Sequence, residues 1–273
     1  MTAFNLSTEP SPSGNIISYN ISTGIETVLQ NFTGPNGNDA TGSLMKANNG
    51  LLYGMTQMGG AYNYGIIFSY NIATGIETVL HDFVGDSTDG RIGCGSLIQA
   101  TDGLLYGMTQ YGGAYHGGTI FSFNIVTGIE TVIHHFAGNP TDGSAPYGAL
   151  FQASDGLLYG MTRVGGANIC YSYLQGTIFS YNIATATYNY LYNFDGLCNN
   201  DGGTPYGSFI QAGNGLLYGM TQTGGINNNG GTIFSYNIAT NAVTVLYSFS
   251  APLTLEMHQP ALSYRHQTTC FME

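Results

Sequence analysis

The stretch Leu51-Leu52-Tyr53-Gly54-Met55-Thr56 decides the fold, because near-copies of it recur at residues 104–109, 157–162 and 216–221. Each copy is followed by a Gly-Gly pair and then by a segment of the type Ile-Phe-Ser-Tyr-Asn. A repeat of more than fifty residues predicts an array of small β units, each of which buries its apolar side only against its neighbours. We therefore expect an all-β repeat protein.

Composition limits the classes of function. The chain has 273 residues, of which 43% are hydrophobic and only 7% are charged, and this suffices for a single β domain over residues 1–273. The chain has only four Lys and Arg residues in total and a net charge of −11, so nucleic acid and anionic membranes are not expected as partners. No apolar run reaches the ~18 residues that would predict membrane insertion.

One repeat, residues 95–137, serves as the type unit. We expect strand A at 96–100, strand B at 104–109, strand C at 118–124 and strand D at 130–136. Thr101-Asp102-Gly103 predicts a tight turn between strands A and B, because Asp-Gly supplies the positive φ that a two-residue hairpin needs. Four antiparallel strands in chain order are typical of a β-propeller blade.

The number of repeats predicts five blades. Complete repeats are expected at 42–84, 95–137, 148–195 and 207–250. Residues 15–33 match only strands C and D, so this half-blade is expected to lack strands A and B, with Met1-Thr2 aligned on Met55-Thr56. The prediction is a five-bladed propeller whose closing blade is shared between the N- and C-termini.

The tail, residues 251–273, does not resemble the repeat. Translated two bases out of frame with chosen synonymous codons, residues 261–273 give a segment close to residues 96–107, which suggests a frameshift near Pro252. A tail of this kind would complete the closing blade poorly. An open sheet edge would then favour self-association.

The repeat resembles the GloVer tandem repeat family through Leu-Tyr-Gly-Met-Thr, the Gly-Gly pair and Gly-Thr-Ile-Phe-Ser-Tyr-Asn, over about residues 15–250. It is more distantly similar to kelch repeats, although the chain has no Trp. The resemblance implies a propeller, export to the cell surface and a binding role without an assigned enzymatic activity. The N-terminal residues carry no recognisable secretory signal.

The loops between strands B and C, and the connections between strands D and A, differ most among the repeats. Because both lie at one edge of an up-and-down sheet, they predict a variable binding face on a constant scaffold, although unconstrained drift of loops would give the same pattern. Tyrosines with neighbouring polar groups suit sugars or a protein surface. The candidate ligand-binding residues are Tyr62, Tyr64, Tyr115, His116, Arg163, Tyr171, Tyr173 and Asn228.

No catalytic, metal or cofactor motif is recognised in the sequence. His81 and His134 fall in D strands and are expected to be structural, and the acidic loops are expected to form turns. Cys170 and Cys198 lie in two insertions of one repeat on the same face, which predicts a disulfide; Cys94 is expected to be unpaired. We expect a non-enzymatic binding module; the alternatives are a structural or adhesive fragment of a longer array and, more remotely, a hydrolase.

Overall fold

The computed structural model describes residues 2–7, 14–138, 140, 142–167, 169–170, 173–196, 198–227 and 229–250. In residues 2–7, 169–170 and 173–174 the description covers the backbone alone. These parts of the chain contain β-strands and turns and no helix, so none of them forms a helix able to cross a membrane. The predicted all-β class is confirmed.

Five antiparallel sheets follow one another along the chain, and each is built from consecutive strands. Sheet 1 contains β1 (Thr2–Ser7), β2 (Asn15–Asn20) and β3 (Ile25–Asn31). Sheet 2 contains β4 (Asn38–Lys46), β5 (Leu52–Met58), β6 (Ile66–Asn71) and β7 (Ile76–Asp82). Sheet 3 contains β8 (Gly90–Gln99), β9 (Leu105–Gly112), β10 (Thr119–Asn124) and β11 (Ile129–His135).

In the last two sheets the first strand is split into two short pieces. Sheet 4 contains β12 (Gly143–Pro146), β13 (Phe151–Gln152), β14 (Leu158–Gly165), β17 (Thr177–Asn182) and β18 (Thr187–Asn193). A small hairpin of β15 (Ile169–Cys170) and β16 (Tyr173–Leu174) lies in its B–C loop. Sheet 5 contains β19 (Gly203–Pro205), β20 (Ile210–Gln211), β21 (Leu217–Thr223), β22 (Thr232–Asn237) and β23 (Ala242–Ser248).

Strand A begins earlier than the sequence predicts. In sheet 3 it starts at Gly90 rather than at residue 96, and its pairing with β9 shifts register between Cys94 and Ile98. Gly95 lies at this irregularity with φ of +69°, a conformation that glycine adopts readily. The early half of the strand was missed because it lies in the connection whose sequence varies among repeats.

The first sheet also differs from the prediction. β1 pairs antiparallel with β2 along its whole length, from Thr2 opposite Asn20 to Ser7 opposite Asn15. The expected half-blade therefore has a strand at position B, and the alignment of Met1-Thr2 with Met55-Thr56 is wrong. The predicted register failed because it matched a Met-Thr pair by identity, whereas residues 2–7 form this strand without repeating the Leu-Tyr-Gly-Met-Thr motif.

The A–B turn occupies the three predicted residues 101–103, but its geometry is not that of a two-residue hairpin. The amide of Gly103 donates to the carbonyl of Ala100 (2.9 Å), and the amide of Ala100 donates to the carbonyl of Leu104 (3.0 Å). Residues 101–103 thus form a three-residue loop in which only the glycine has positive φ, the type I turn with a bulge that three-residue hairpins favour. The Asp102 side chain caps this loop by accepting from the amide of Leu104 (3.1 Å).

The core lies between neighbouring sheets. Four clusters of buried side chains join sheet 1 to 2, 2 to 3, 3 to 4 and 4 to 5. The repeated tyrosines Tyr53, Tyr106 and Tyr159 are buried in these clusters. The repeated methionines are buried in sheets 2, 3 and 4, whereas Met220 in sheet 5 is 53% exposed.

Polar bridges add to this packing along the A–B turns. The side chain of Gln152 in sheet 4 accepts from the amide of Thr101 in sheet 3 (3.0 Å) and donates to the carbonyl of Gly156 in its own turn (3.0 Å). Gln99 and Gln211 make the same pair of contacts at the preceding and following interfaces. One glutamine therefore fixes each turn relative to the turn before it.

The glycine of Leu-Tyr-Gly-Met is required by the phenylalanine of the neighbouring strand C. A Cβ atom at Gly107 would lie 2.5 Å from Cζ of Phe121 and 2.8 Å from Cδ2 of Leu97. Gly54 faces Phe68 in the same way, at 2.6 Å. Each phenylalanine is fully buried, so the ring has no free volume into which to retreat.

We predict that Gly107→Ala lowers the free energy of unfolding by about 2 kcal/mol, since overpacking a filled core costs about 1–3 kcal/mol. Gly213→Ala is the matched control, because its Cβ would meet nothing within 4 Å and its φ is not positive. Chemical denaturation monitored by tyrosine fluorescence measures both. Equal stability of the two variants would contradict the packing argument.

Candidate functional site

The candidate site lies at the end of the sheets where the B–C loops and the D–A connections join the strands. This surface is here called the loop face. Because the strands of each sheet run antiparallel in chain order, both kinds of connection lie at this end of the sheets, and the A–B and C–D turns lie at the opposite end. The loop face is therefore the variable one.

Backbone hydrogen bonds fix the B–C loops of sheets 2, 3 and 4 to the sheet that follows each of them. The amide of Ile92 in strand A donates to the carbonyl of Tyr64 (2.9 Å), and the amide of Ala145 donates to the carbonyl of Gly117 (2.7 Å). Ile92 has φ of +59°, which is rare for a β-branched residue and costs about 1–3 kcal/mol. The same position has positive φ in four sheets, at Asp39, Ile92, Ala145 and Thr204.

Next to this contact, Arg91 lies between two tyrosines of neighbouring sheets. Its guanidinium carbon is 5.5 Å from the ring centre of Tyr64 and 5.6 Å from that of Tyr111. Cation–π contacts of this kind contribute about 0.5–1 kcal/mol each at exposed sites. Tyr64 is 37% exposed and Tyr111 is 36% exposed. These two tyrosines and Arg91 are here called the Tyr-Arg-Tyr cluster, which presents two aromatic rings and a cation to solvent.

Arg91 also has unused hydrogen-bonding capacity. Its Nε atom is buried and has no partner among the described residues. In the antiparallel pairing of β8 with β9, Arg91 lies directly opposite Tyr111. The cross-strand register thus positions the guanidinium, while its terminal nitrogens remain donors for a ligand carboxylate or hydroxyl group.

The predicted candidate residues are only partly brought together. Tyr64 belongs to the Tyr-Arg-Tyr cluster, and Tyr62 and Tyr115 are 56% and 64% exposed on the same face. His116 lies in the B–C loop of sheet 3 with φ of +61°, and Arg163 is half-buried in β14, apart from the cluster.

Three candidates cannot be placed. Tyr171 and Asn228 lie outside the described residues, and Tyr173 is described only as backbone of β16. Arg91 and Tyr111 were missed in the sequence. Their positions in the repeat could have indicated them. Arg91 is the second residue after Asp89, and Tyr111 is the second residue after the repeated threonine of strand B.

A shallow groove of about 620 Å³ lies between sheets 1 and 2, and Asn63, the chain neighbour of Tyr64, is among its lining residues. Its wall contains Gly34, Gly59 and Gly60, with Pro35, Asn63, Val79 and Asp82 as the larger side chains. The carboxylate of Asp82 accepts from the amide of Ala61 (2.6 Å), which holds the B–C loop that carries Tyr62.

A buried aspartate lies near the end of the D–A connection that follows each of sheets 2, 3 and 4. These residues are Asp89, Asp142 and Asp201. Asp142 accepts from the amides of Ala137 and Gly143, both at 2.8 Å, and contacts Nε2 of His134 at 3.3 Å. Although burial alone would raise the pKa of Asp142, the bonds from His134 and Ala137 lower it below its usual value. The prediction that His134 is structural agrees with these contacts.

The cysteines have distinct environments. Cys94 is free and fully buried, and burial raises the pKa of its thiol to about 12, which leaves it unreactive. Cys198 takes part in a disulfide. The side chain of Cys170 and all of Cys270 lie outside the described residues, so the pairing of Cys170 with Cys198 stays a prediction.

Solved structures with the same arrangement of sheets include three bacterial proteins. TolB from Acinetobacter baumannii matches with a TM-score of 0.55 and 16% identity, over 88% of this chain and 50% of that one. The extracellular domain of a hybrid two-component system from B. thetaiotaomicron gives 0.58 and 13%, over 86% and 25%. A gluconolactonase from Xanthomonas campestris gives 0.54 and 13%, over 85% and 67%.

These likenesses are to β-propeller-type structures, and at such identities they show the fold alone. The chain spans half of the TolB chain and a quarter of the two-component protein. No functionally curated protein matches the sequence. The Gloeobacter/Verrucomicrobia repeat matches over residues 2–200 and again over 95–263, which together include both the sheets and the loop face. The chain therefore belongs to the Gloeobacter/Verrucomicrobia repeat family, in agreement with the resemblance found in its repeat.

Proposed function

We propose that this protein is a non-enzymatic binding module that recognises glycans through its loop face. The observation that carries the proposal is the Tyr-Arg-Tyr cluster, in which Arg91 is held between the exposed rings of Tyr64 and Tyr111. Tyrosine rings stack against the apolar face of a sugar, and guanidinium groups bind hydroxyl and carboxylate oxygens.

The scaffold favours binding in a second way. The backbone of the B–C loops is tied to the next sheet, so that Tyr64 is positioned before any ligand arrives. A pre-positioned aromatic group loses little conformational entropy on binding, which improves affinity. Tyr62 precedes Tyr64 in the sequence and Tyr115 follows Tyr111, and both are exposed. They add two further aromatic rings to the loop face.

We expect binding to an array of neutral and uronate-containing oligosaccharides, and we expect Tyr111→Ala to weaken binding of the best oligosaccharide at least about tenfold. An interface tyrosine that stacks on its ligand typically contributes more than 1 kcal/mol, which corresponds to this factor. Isothermal titration calorimetry with that oligosaccharide measures the change. Arg91→Met tests the cation separately, because Met keeps the packed stem between the rings.

Tyr19→Ala is the matched control for this experiment. Tyr19 is 43% exposed, similar to Tyr111, but lies in β2 beside the C–D turn at the opposite edge. Its removal is expected to leave the dissociation constant unchanged. Equal weakening by the two substitutions, or no binding to any sugar on the array, would sink the glycan proposal.

The second candidate is a structural or adhesive role as part of a longer repeat array. The observation that favours it is the apolar surface of sheet 5, where Ile210, Met220 and Tyr247 are all more than half exposed. Such a surface suits contact with a further repeat. Hydrolase activity is not proposed, because the likeness to the gluconolactonase extends to the fold alone.

We further propose that the five sheets are five blades of one ring, closed by contact between sheets 1 and 5. The support is the regular succession of sheets, with the same glutamine bridge at three interfaces. A closed monomer of this length is expected to have a radius of gyration of about 19 Å. Small-angle X-ray scattering measures it; a larger value that rises with protein concentration would instead indicate an open array that self-associates.

A further inference from the structure

Three metal-ligating side chains meet where sheets 2 and 3 pack against each other. His81 lies in β7, Asp89 immediately precedes β8, and Glu130 lies in β11. One nitrogen or oxygen atom from each lies within 4.8 Å of the other two. The side chain of Asp89 is 9% exposed and that of His81 is 23% exposed, so the cluster is nearly buried but open on the histidine side.

The position of Asp89 is fixed by the backbone. Its carboxylate accepts from the amides of Val84 (2.8 Å) and Gly90 (2.6 Å), and its Oδ2 atom contacts Nε2 of His81 at 3.1 Å. These bonds hold a carboxylate and an imidazole in one orientation without any contribution from Glu130.

Glu130 lacks the partners that a buried carboxylate needs. Its Oε1 atom is buried and has no hydrogen-bond partner among the described residues. Burial and the nearby charge of Asp89 raise the pKa of Glu130 to about 7, despite the opposing effect of His81. A buried carboxylate in this setting is unfavourable unless a cation or a proton accompanies it.

The equivalent positions at the other interfaces are occupied differently. Between sheets 3 and 4 the third group is Tyr188, whose ring stacks on His134 at 3.8 Å. Between sheets 1 and 2 it is Glu77, whose Oε2 atom accepts from the amide groups of Gln30 and Asn36. Among the described interfaces, that between sheets 2 and 3 therefore combines a histidine with two carboxylates.

We propose that His81, Asp89 and Glu130 bind one divalent transition-metal ion of the Zn²⁺ type. Zn²⁺ takes imidazole and carboxylate ligands at about 2.0–2.2 Å, which places tetrahedral ligand atoms ~3.4 Å apart. Atoms that already lie within 4.8 Å reach this spacing by small side-chain rotations. Water would occupy the fourth position from the exposed side of His81.

The ligand set discriminates between metals. Ca²⁺ takes six to eight oxygen ligands and Mg²⁺ prefers an octahedral shell dominated by oxygen, whereas this cluster offers one nitrogen and two carboxylates. Imidazole selects for late transition metals. Binding is thus expected with Zn²⁺ or Co²⁺ and not with Ca²⁺ or Mg²⁺.

The test is calorimetric titration of the full-length chain, freed of metal by chelation, with ZnCl₂. The wild type is expected to bind one Zn²⁺ per chain, and Glu130→Gln to bind more than about 100-fold more weakly, since loss of a direct ligand exceeds the 10–100-fold typical of outer partners. His135→Asn is the matched control, because this histidine lies next to His134 in β11 outside the cluster and its loss leaves Zn²⁺ binding unchanged.

A second variant keeps the test decisive if Glu130→Gln does not fold. Glu130→Tyr copies the arrangement that Tyr188 already forms with His134, and it is expected to fold and to lose the metal. Co²⁺ titration supplies an independent measurement, with visible absorption bands of a four-coordinate ion in the wild type and none in the variant. Absence of Zn²⁺ binding by the wild type, or full binding by either Glu130 variant, would overturn the proposal.

Discussion

The whole structure depends on the contact between the phenylalanine of strand C and the glycine of strand B, because this contact sets how closely sheets can pack. Phe121 is fully buried against Gly107, and it also lies in the cluster that joins sheets 2 and 3. Its ring meets Phe83 of the preceding sheet edge to face, with centres 5.5 Å apart. Equivalent ring pairs recur at the other interfaces, at Phe32–Phe68, Phe136–Phe179 and Phe194–Phe234. The repeat is therefore conserved within the chain because it encodes an interface, and no sheet is stable without a neighbour.

Much of this fold could be predicted from the sequence, because internal copies carry the same information as aligned relatives. Strands B, C and D were placed within one to three residues in sheet 3, since their residues recur with little change. The early half of strand A could not be placed, because its sequence changes from Arg91 to Ser144 to Gly203 while its backbone does not. A backbone conformation kept by inter-sheet hydrogen bonds leaves no recurring side chain to recognise.

The candidate site was less predictable for the same reason. Tyr62, Tyr64 and Tyr115 were found because exposed tyrosines in variable loops are conspicuous, and Tyr64 does contact a cation. Arg91 was missed because it lies in the unrecognised part of strand A. The cluster of His81, Asp89 and Glu130 was invisible because its members are separated by up to 49 residues (130 − 81) and meet only when sheets 2 and 3 pack.

The glycines at the irregularity of strand A have a consequence for how such chains diversify. A side chain at Gly42 would strike the backbone of Gly95, one at Gly95 would strike Gly148, and one at Gly148 would strike Gly207. Main chain thus lies against main chain from sheet 2 through to sheet 5, and the spacing of these sheets is set there by atoms that every residue type shares. Substitutions in the B–C loops leave these backbone contacts in place. The same frame can therefore carry loops of different length and sequence, as it does in sheets 2, 4 and 5.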